Sequence, residues 1–509
     1  MRQDHNFLVV SDLHLSEGWN PETGKTSRLE DFRRDDAFAR FLCYHQAIRN
    51  QARFGGRPWM LILNGDIFDF LQVVSLPPDG LLLRIVKGVD HRSDLSPNER
   101  EYGLGTTAIE SEWKLKQIAR GHQRFFAALG SFVAHGNHVA VVRGNHDVEL
   151  HWREVQERFL VEARRAYVRE TLREGNGPAL PLSACRERIH FYPWFYYEPQ
   201  EIYVEHGGQY EGANHFRDFL NPVLPDDPAH IELPWGSLFV RYLFNKVEDV
   251  HPFADNVKPL TRYLSWAFRT DPVKATKVLV GRGPVFLRAL WKAGGKATTS
   301  VLHATDEHSP VPPQAVPLPP EVAEQIEALA KERVESAWQS WVGSLLRQLI
   351  SLLMLLIVGT LFALAVATRF LTQKPWWVTA AYVGMAILAA FLRHELTEAL
   401  CRLLASDYLA EVAVELEQIL RGARGAHIIV LGHDHRPAIE RLEDAWYVNT
   451  GTWIPTYERE GPVEGREVLT FLRVAAGRRE TPELLRWEDG GGTPSRVVVW
   501  DDAGRPVAR

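Results

Sequence analysis

At 509 residues the chain is too long for one ordinary core, so two or three units are expected. Its 45% hydrophobic and 24% charged residues place it among globular proteins, and a net charge of -6 excludes a generally basic, nucleic-acid-binding surface. Three widely spaced cysteines, Cys43, Cys185 and Cys401, form no CxxC pair, which excludes a disulfide framework or a cysteine zinc site and fits a reducing compartment.

In chain order, the opening MRQDHNFLVVSDLHL has too short an apolar run for a signal peptide, and Asp12 interrupts it. NFLVVSDLHL (6–15) instead reads as a buried strand ending in a polar loop. The same pattern returns at PWMLILNGDIFDF (58–70) and HVAVVRGNHDVEL (138–150). Helical stretches lie between them, at 33–50 and 109–129. Further strands are expected at 202–208, 426–435, 446–453 and 467–474. Strands alternating with helices predict an α/β fold.

Between the fourth and fifth strands the character changes. Residues 213–308 are rich in aromatic and basic residues, and read as helices lying at lipid headgroups or as aromatic core helices. A proline-rich linker follows at 309–320, then an amphipathic helix at 320–338. The runs 348–368 and 375–392 carry no charge and are flanked by Arg347, Arg369, Lys374 and Arg393. About 20 apolar residues cross a bilayer core, so these runs predict a transmembrane hairpin. A long amphipathic helix over 393–420 closes the inserted region, 321–421. An even number of spans and no signal peptide predict a multi-pass protein of the cell membrane with its soluble parts, 1–212 and 422–509, in the cytoplasm.

Five short motifs end predicted strands: SDLH (11–14), NGD (64–66), GNHD (144–147), EHGG (205–208) and GHDH (432–435). They offer Asp12, His14, Asp66, Asn145, His206, His433 and His435. Active sites in α/β proteins lie beyond the carboxyl ends of strands, so these side chains can converge. Asp, His and Asn suit Mn²⁺, Fe or Zn²⁺, and a carboxylate bridging two such ions catalyses phosphoryl displacement. The triplet Gly-Asn-His also occurs at 136–138. That copy precedes the apolar run Val139–Val142, so Asn137 and His138 are expected at the strand's entry, away from any site.

These five motifs, in this order, resemble those of calcineurin-like metallophosphoesterases over roughly residues 5–212 and 424–475. The resemblance implies a β-sandwich flanked by helices and a centre of two divalent metal ions, Mn²⁺ before Fe or Zn²⁺. It implies that Asp12, His14 and His435 hold one ion, that Asn145, His206 and His433 hold the other, and that Asp66 bridges them. His146 would act on the leaving oxygen and Asp147 would orient it. SDLHL, GDIFDF and GHDHRP look most like UDP-2,3-diacylglucosamine pyrophosphohydrolases, from which HGG, the His of GNHD and the inserted hairpin depart. Tyr210 and Asn214, after His206, are candidate substrate contacts.

Two decoys are set aside. PETGKTS (21–27) has Trp19 where a P-loop needs glycine, and HELTE (394–398) has Glu398 where a zinc-protease helix needs histidine. The expectation is a membrane-attached, metal-dependent phosphoester hydrolase whose partners are a phosphoester substrate, lipid-linked by its location, and the bilayer, with no nucleic acid. The rival readings are a phosphatase or phosphodiesterase of soluble nucleotides or phosphoproteins that is merely anchored, and a catalytically dead membrane scaffold.

Overall fold

The computed structural model describes residues 5–175, 177–245, 317–331, 408–456, 466–476 and 482–497, with isolated positions elsewhere. The chain divides into two compact units, Met1–Arg333 with Leu409–Arg509, and Val334–Tyr408. The fold below is that of the first. The two charge-free runs, 348–368 and 375–392, lie outside the described residues apart from single positions. Among the described residues no helix is long and apolar enough to cross a membrane.

Two sheets form the scaffold. The strands of the first are β1 (Asn6–Val10), β2 (Trp59–Asn64), β3 (His138–Val142), β4 (Ile189–Tyr192), β10 (Thr470–Val474), β11 (Glu483–Glu488) and β12 (Thr493–Arg496). They lie in the order β12-β11-β10-β1-β2-β3-β4, with β1 to β4 parallel and β10 antiparallel to β1. The second sheet has the order β8-β9-β7-β6-β5, from β5 (Phe195–Glu198), β6 (Ile202–Glu205), β7 (Ile428–Leu431), β8 (Ala438–Arg441) and β9 (Trp446–Asn449). Strands β6, β7 and β9 are parallel neighbours.

The strand period of two decides what packs where. Phe7 and Val9 of β1, with Met60 and Ile62 of β2, face Val204, Val430 and Val448 of the second sheet. Leu8 and Val10, with Leu61 and Leu63, face the helices on the other side. Both faces of the parallel strands are therefore covered, which is why NFLVV and WMLILN are buried throughout. On the helical side, α1 (Asp35–Ile48) buries Phe38, Phe41 and His45 one turn apart. Its aromatic rings meet Trp453 and Trp487, contributed by the end of the chain. This is a helix-flanked β-sandwich of mixed α/β class, as expected.

One element differs from the sequence reading. The stretch 109–129 is two helices, α2 (Ala108–Gly121) and α3 (Gln123–Ala134), broken at His122. Gly121 lies so close to the Glu17 carbonyl that a Cβ there would overlap it. His122 is buried, with Nε2 3.0 Å from Glu30 and Nδ1 3.1 Å from Asp35. Burial opposes its charge, but these two carboxylates push its pKa up to about 10. The break thus pins the Ser16–Gly18 loop, since Glu30 also accepts the Ser16 and Gly18 amides.

Candidate functional site

Each candidate residue stands just past the carboxyl end of a strand. Asp12 and His14 follow β1, Asp66 follows β2, and Asn145, His146 and Asp147 follow β3. His206 directly follows β6, and His433 and His435 follow β7. The parallel pairing β1-β2-β3 and β6-β7 aligns those ends along one edge of the sandwich. The loops are locked to one another. The Leu13 and His14 amides both donate to the Asp66 carbonyl at 2.9 Å, and the His146 amide donates to Asp66 Oδ1 at 2.8 Å. Asp12 Oδ2 accepts the His433 amide at 3.1 Å, joining loops that are hundreds of residues apart in the chain.

The backbone carries strain here. Eight non-glycine residues among those described have positive φ, and five of them are Asp12, His14, Asp66, His433 and His435. Such conformations cost about 1–3 kcal/mol each and persist where surrounding structure over-determines them, typically at functional sites. Their concentration in one place separates this edge from the rest of the fold.

Among the described residues, three groups of side chains converge tightly enough to hold a cation: Asp12, His14 and His435; Asp66, His206 and His433; and His14, Asp69 and His146. His14 belongs to two of them. His14 Nε2 is 3.3 Å from His435 Nε2, which is 3.2 Å from Asp12 Oδ1. Asp66 Oδ2 is 3.1 Å from His206 Nε2 and 4.0 Å from His14 Nε2, so it lies between the first two groups. Asn145 Oδ1 is 3.1 Å from His206 Nε2. His206 Nδ1 donates to the Asn64 carbonyl at 3.0 Å, which leaves Nε2 as the ring's lone-pair atom toward the centre. A Cβ at Gly208 would sit 2.6 Å from Asn145 Oδ1, so the second glycine of HGG makes room for that amide.

Electrostatics fit a site built for positive charge. Burial would raise Asp12, but the facing His435 holds its carboxyl well below the usual range. Asp66 is likewise kept ionised against burial, by His206 and His146. Burial lowers His206 and Asp66 raises it, with a net rise to about 9, so a cation taking the Nε2 lone pair would displace a proton from that atom. Buried imidazoles and carboxylates with their ligand atoms facing one another are the donor set expected of a first-row divalent ion, and these residues fit one.

A match to the calcineurin-like phosphoesterase family model spans residues 5–283. The chain belongs to this family. It is therefore a metal-dependent phosphoric ester hydrolase by family. No curated protein matches this phosphoesterase, and the narrower likeness to UDP-diacylglucosamine pyrophosphohydrolases is not shown. The match ends well before His433 and His435, which only the fold brings back to Asp12 and Asp66.

Two sequence expectations require correction. Asp147 does not orient His146. Its carboxylate accepts the Gly144 amide at 2.6 Å and the Ile67 amide at 2.8 Å, tying the second and third motif loops together. Burial and the charge of Asp66 raise its pKa to about 6. The carboxylate at His146 is that of Asp69, 2.8 Å from Nδ1, the later Asp of GDIFDF. Nor does Tyr210 face a substrate. It is fully buried, and its hydroxyl donates to Glu205 at 2.8 Å, beside Tyr203, Trp194 and Gln209 on the same carboxylate. Asn214 lines a cleft together with Arg143, Asn145 and His206.

Besides Asp69, the sequence reading missed Arg143 and Glu211. Arg143 immediately precedes GNHD and is nearly buried in the cleft wall; burial lowers its pKa to about 10, with Asp147 and Asp218 opposing. Glu211 follows Tyr210, and its carboxylate is 2.7 Å from His433 Nε2. The first two stood within or beside a motif, whereas nothing local marked Glu211.

Proposed function

We propose that the chain is a dinuclear-metal phosphoester hydrolase attached to the cell membrane, with its catalytic unit in the cytoplasm. In this reading Asp12, His14 and His435 hold one ion, Asn145, His206 and His433 hold the second, and Asp66 is shared. Two such ions, Mn²⁺ by preference, would supply a hydroxide nucleophile at neutral pH and neutralise charge growing on the phosphate oxygens. The observation that carries this assignment is Asp66 Oδ2, between His14 of one group and His206 of the other.

The chain's own groups do the rest. His146, fixed at Nδ1 by Asp69, keeps Nε2 for the leaving oxygen, where it donates a proton or a hydrogen bond. Arg143, largely stripped of water in the cleft wall, pairs with a phosphoryl oxygen of the substrate. Asp147 maintains the spacing of the loops that carry Asp66 and Asn145. Asn214 is placed to meet the substrate beside His433.

The membrane part of the proposal rests on the charge-free runs 348–368 and 375–392. A site tethered at a bilayer meets lipid-linked phosphoesters or pyrophosphates at high local concentration, and these are the favoured substrate class. Purified protein in detergent with Mn²⁺ should hydrolyse bis(4-nitrophenyl) phosphate, while Asp66→Ala should not. Equal rates would remove the shared-ion assignment. Deleting the second unit, 334–408, should abolish turnover of a lipid-linked substrate and spare that of the aryl diester. Loss of neither would leave the hairpin as an anchor only.

A further inference from the structure

Several imidazoles of the centre spend their second nitrogen on an acceptor. His206 Nδ1 is 3.0 Å from the Asn64 carbonyl, and His146 Nδ1 is 2.8 Å from Asp69. His433 follows the same rule through Nε2, 2.7 Å from Glu211 Oε2. The His433 side chain is 2% exposed, that of Glu211 42%. A buried ring thus reaches outward to a partly exposed carboxylate. A neutral imidazole has one N–H and one lone pair, so the acceptor on one nitrogen decides which nitrogen keeps the lone pair.

Glu211 is itself held. The Asn214 side-chain amide donates to the same Oε2 at 2.9 Å, and the Asn214 backbone amide donates to the Glu211 carbonyl at 2.9 Å. The loop bearing both is clasped by the chain before the second unit. The Lys331 amide donates to the Gln209 carbonyl at 3.1 Å, and His215 Nδ1 is 2.7 Å from the Lys331 carbonyl. The carboxylate therefore has a defined place despite its exposure.

We propose that Glu211 is a positioning residue for His433: it accepts the Nε2–H and so presents Nδ1, with its lone pair, to the cation shared with Asp66 and His206. This rests on the dinuclear reading above. A partly exposed carboxylate is screened by water, so its effect runs through tautomer and ring orientation more than through net charge. In Glu211→Gln the side-chain amide oxygen would accept the same N–H, whereas Glu211→Ala would leave the ring able to take the other tautomer or turn.

The test is calorimetric titration of Mn²⁺ alone into the metal-stripped full chain in detergent. The wild-type protein should bind two ions. Glu211→Ala should weaken the ion at Asn145, His206 and His433 by about 10–100-fold and leave the other ion's affinity within about threefold, which also shows that the variant is folded. Glu211→Gln should recover most of the loss. Wild-type affinities in the alanine variant would overturn the proposal, as would equal loss of both ions, which marks a merely structural residue. A glutamine variant as weak as the alanine one would also overturn it, since Glu211 would then be binding the ion directly. A wild-type chain that binds no ion would instead remove the dinuclear reading, and this proposal with it.

Discussion

Asp69→Asn separates the structure's assignment for His146 from the sequence's. Asp69 Oδ2 is 2.8 Å from His146 Nδ1, while Oδ1 accepts the Leu71 and Gln72 amides at 3.0 and 3.2 Å. An asparagine keeps Oδ1 and so keeps the turn. It replaces the acceptor at Oδ2 with an NH2 group, which favours the tautomer with its lone pair at Nδ1. The ring can then be neither held as a donor at Nδ1 nor stabilised when it carries charge. Proton transfer by a positioned side chain is worth about 10²–10⁴ in rate, or about 3–5 kcal/mol of barrier, and most of it depends on the correct tautomer. The expected result is a fall in kcat of that order with Mn²⁺ and bis(4-nitrophenyl) phosphate, KM little changed, and Mn²⁺ stoichiometry retained. Asp147→Asn should behave differently. It weakens the Gly144 and Ile67 links, and its signature is a lowered unfolding midpoint. The reasoning fails if Asp69→Asn turns over within about threefold of wild type while Asp147→Asn loses most activity at unchanged stability.

Three further outcomes follow from the same geometry. Asp66→Ala should lose detectable turnover and at least one of two bound Mn²⁺, read by metal analysis of the purified variant. His138→Ala should keep most activity and His146→Ala should lose about 10²-fold or more, because His138 opens β3 opposite Met60 while His146 leaves it beside Asp66. His122→Ala strips Glu30 and Asp35 of their buried partner and should cost about 3–5 kcal/mol in denaturant unfolding. The pKa of His122 is raised in the fold to about 10, so its contribution is fully present below its ordinary unfolded value of 6.5 and declines as pH rises through about 10. The wild-type and variant curves should therefore converge in alkali, and a gap that widens there would contradict the ion-pair assignment.

Much of this was legible in the chain itself, for a physical reason. A strand buried on both faces must be apolar along its length, so NFLVV, WMLILN and HVAVV announce themselves, and polar motifs at their ends mark the catalytic edge. The doubled Gly-Asn-His resolved the same way. The first copy leads into β3, with Asn137 accepting the Trp59 amide on its side chain and His138 opening the strand, and the second follows it. Motif order and residue type also announced the family. Local periodicity carried no sign of the break at His122, because its cause is a Glu17 carbonyl and two carboxylates distant in sequence.

What only the tertiary structure decided is which polar group answers which. Asp147 is adjacent to His146 in sequence, yet its oxygens turn to the Gly144 and Ile67 amides, and Asp69 takes the ring. Tyr210 and Glu211 are neighbours, yet one hydroxyl disappears into the Glu205 cluster while the next side chain reaches His433. Burial and strand position are properties of a segment, and composition encodes them. Hydrogen-bond pairing at the site depends on directions and distances of a few ångströms between loops from opposite ends of the chain, and those exist only once the sheets have packed.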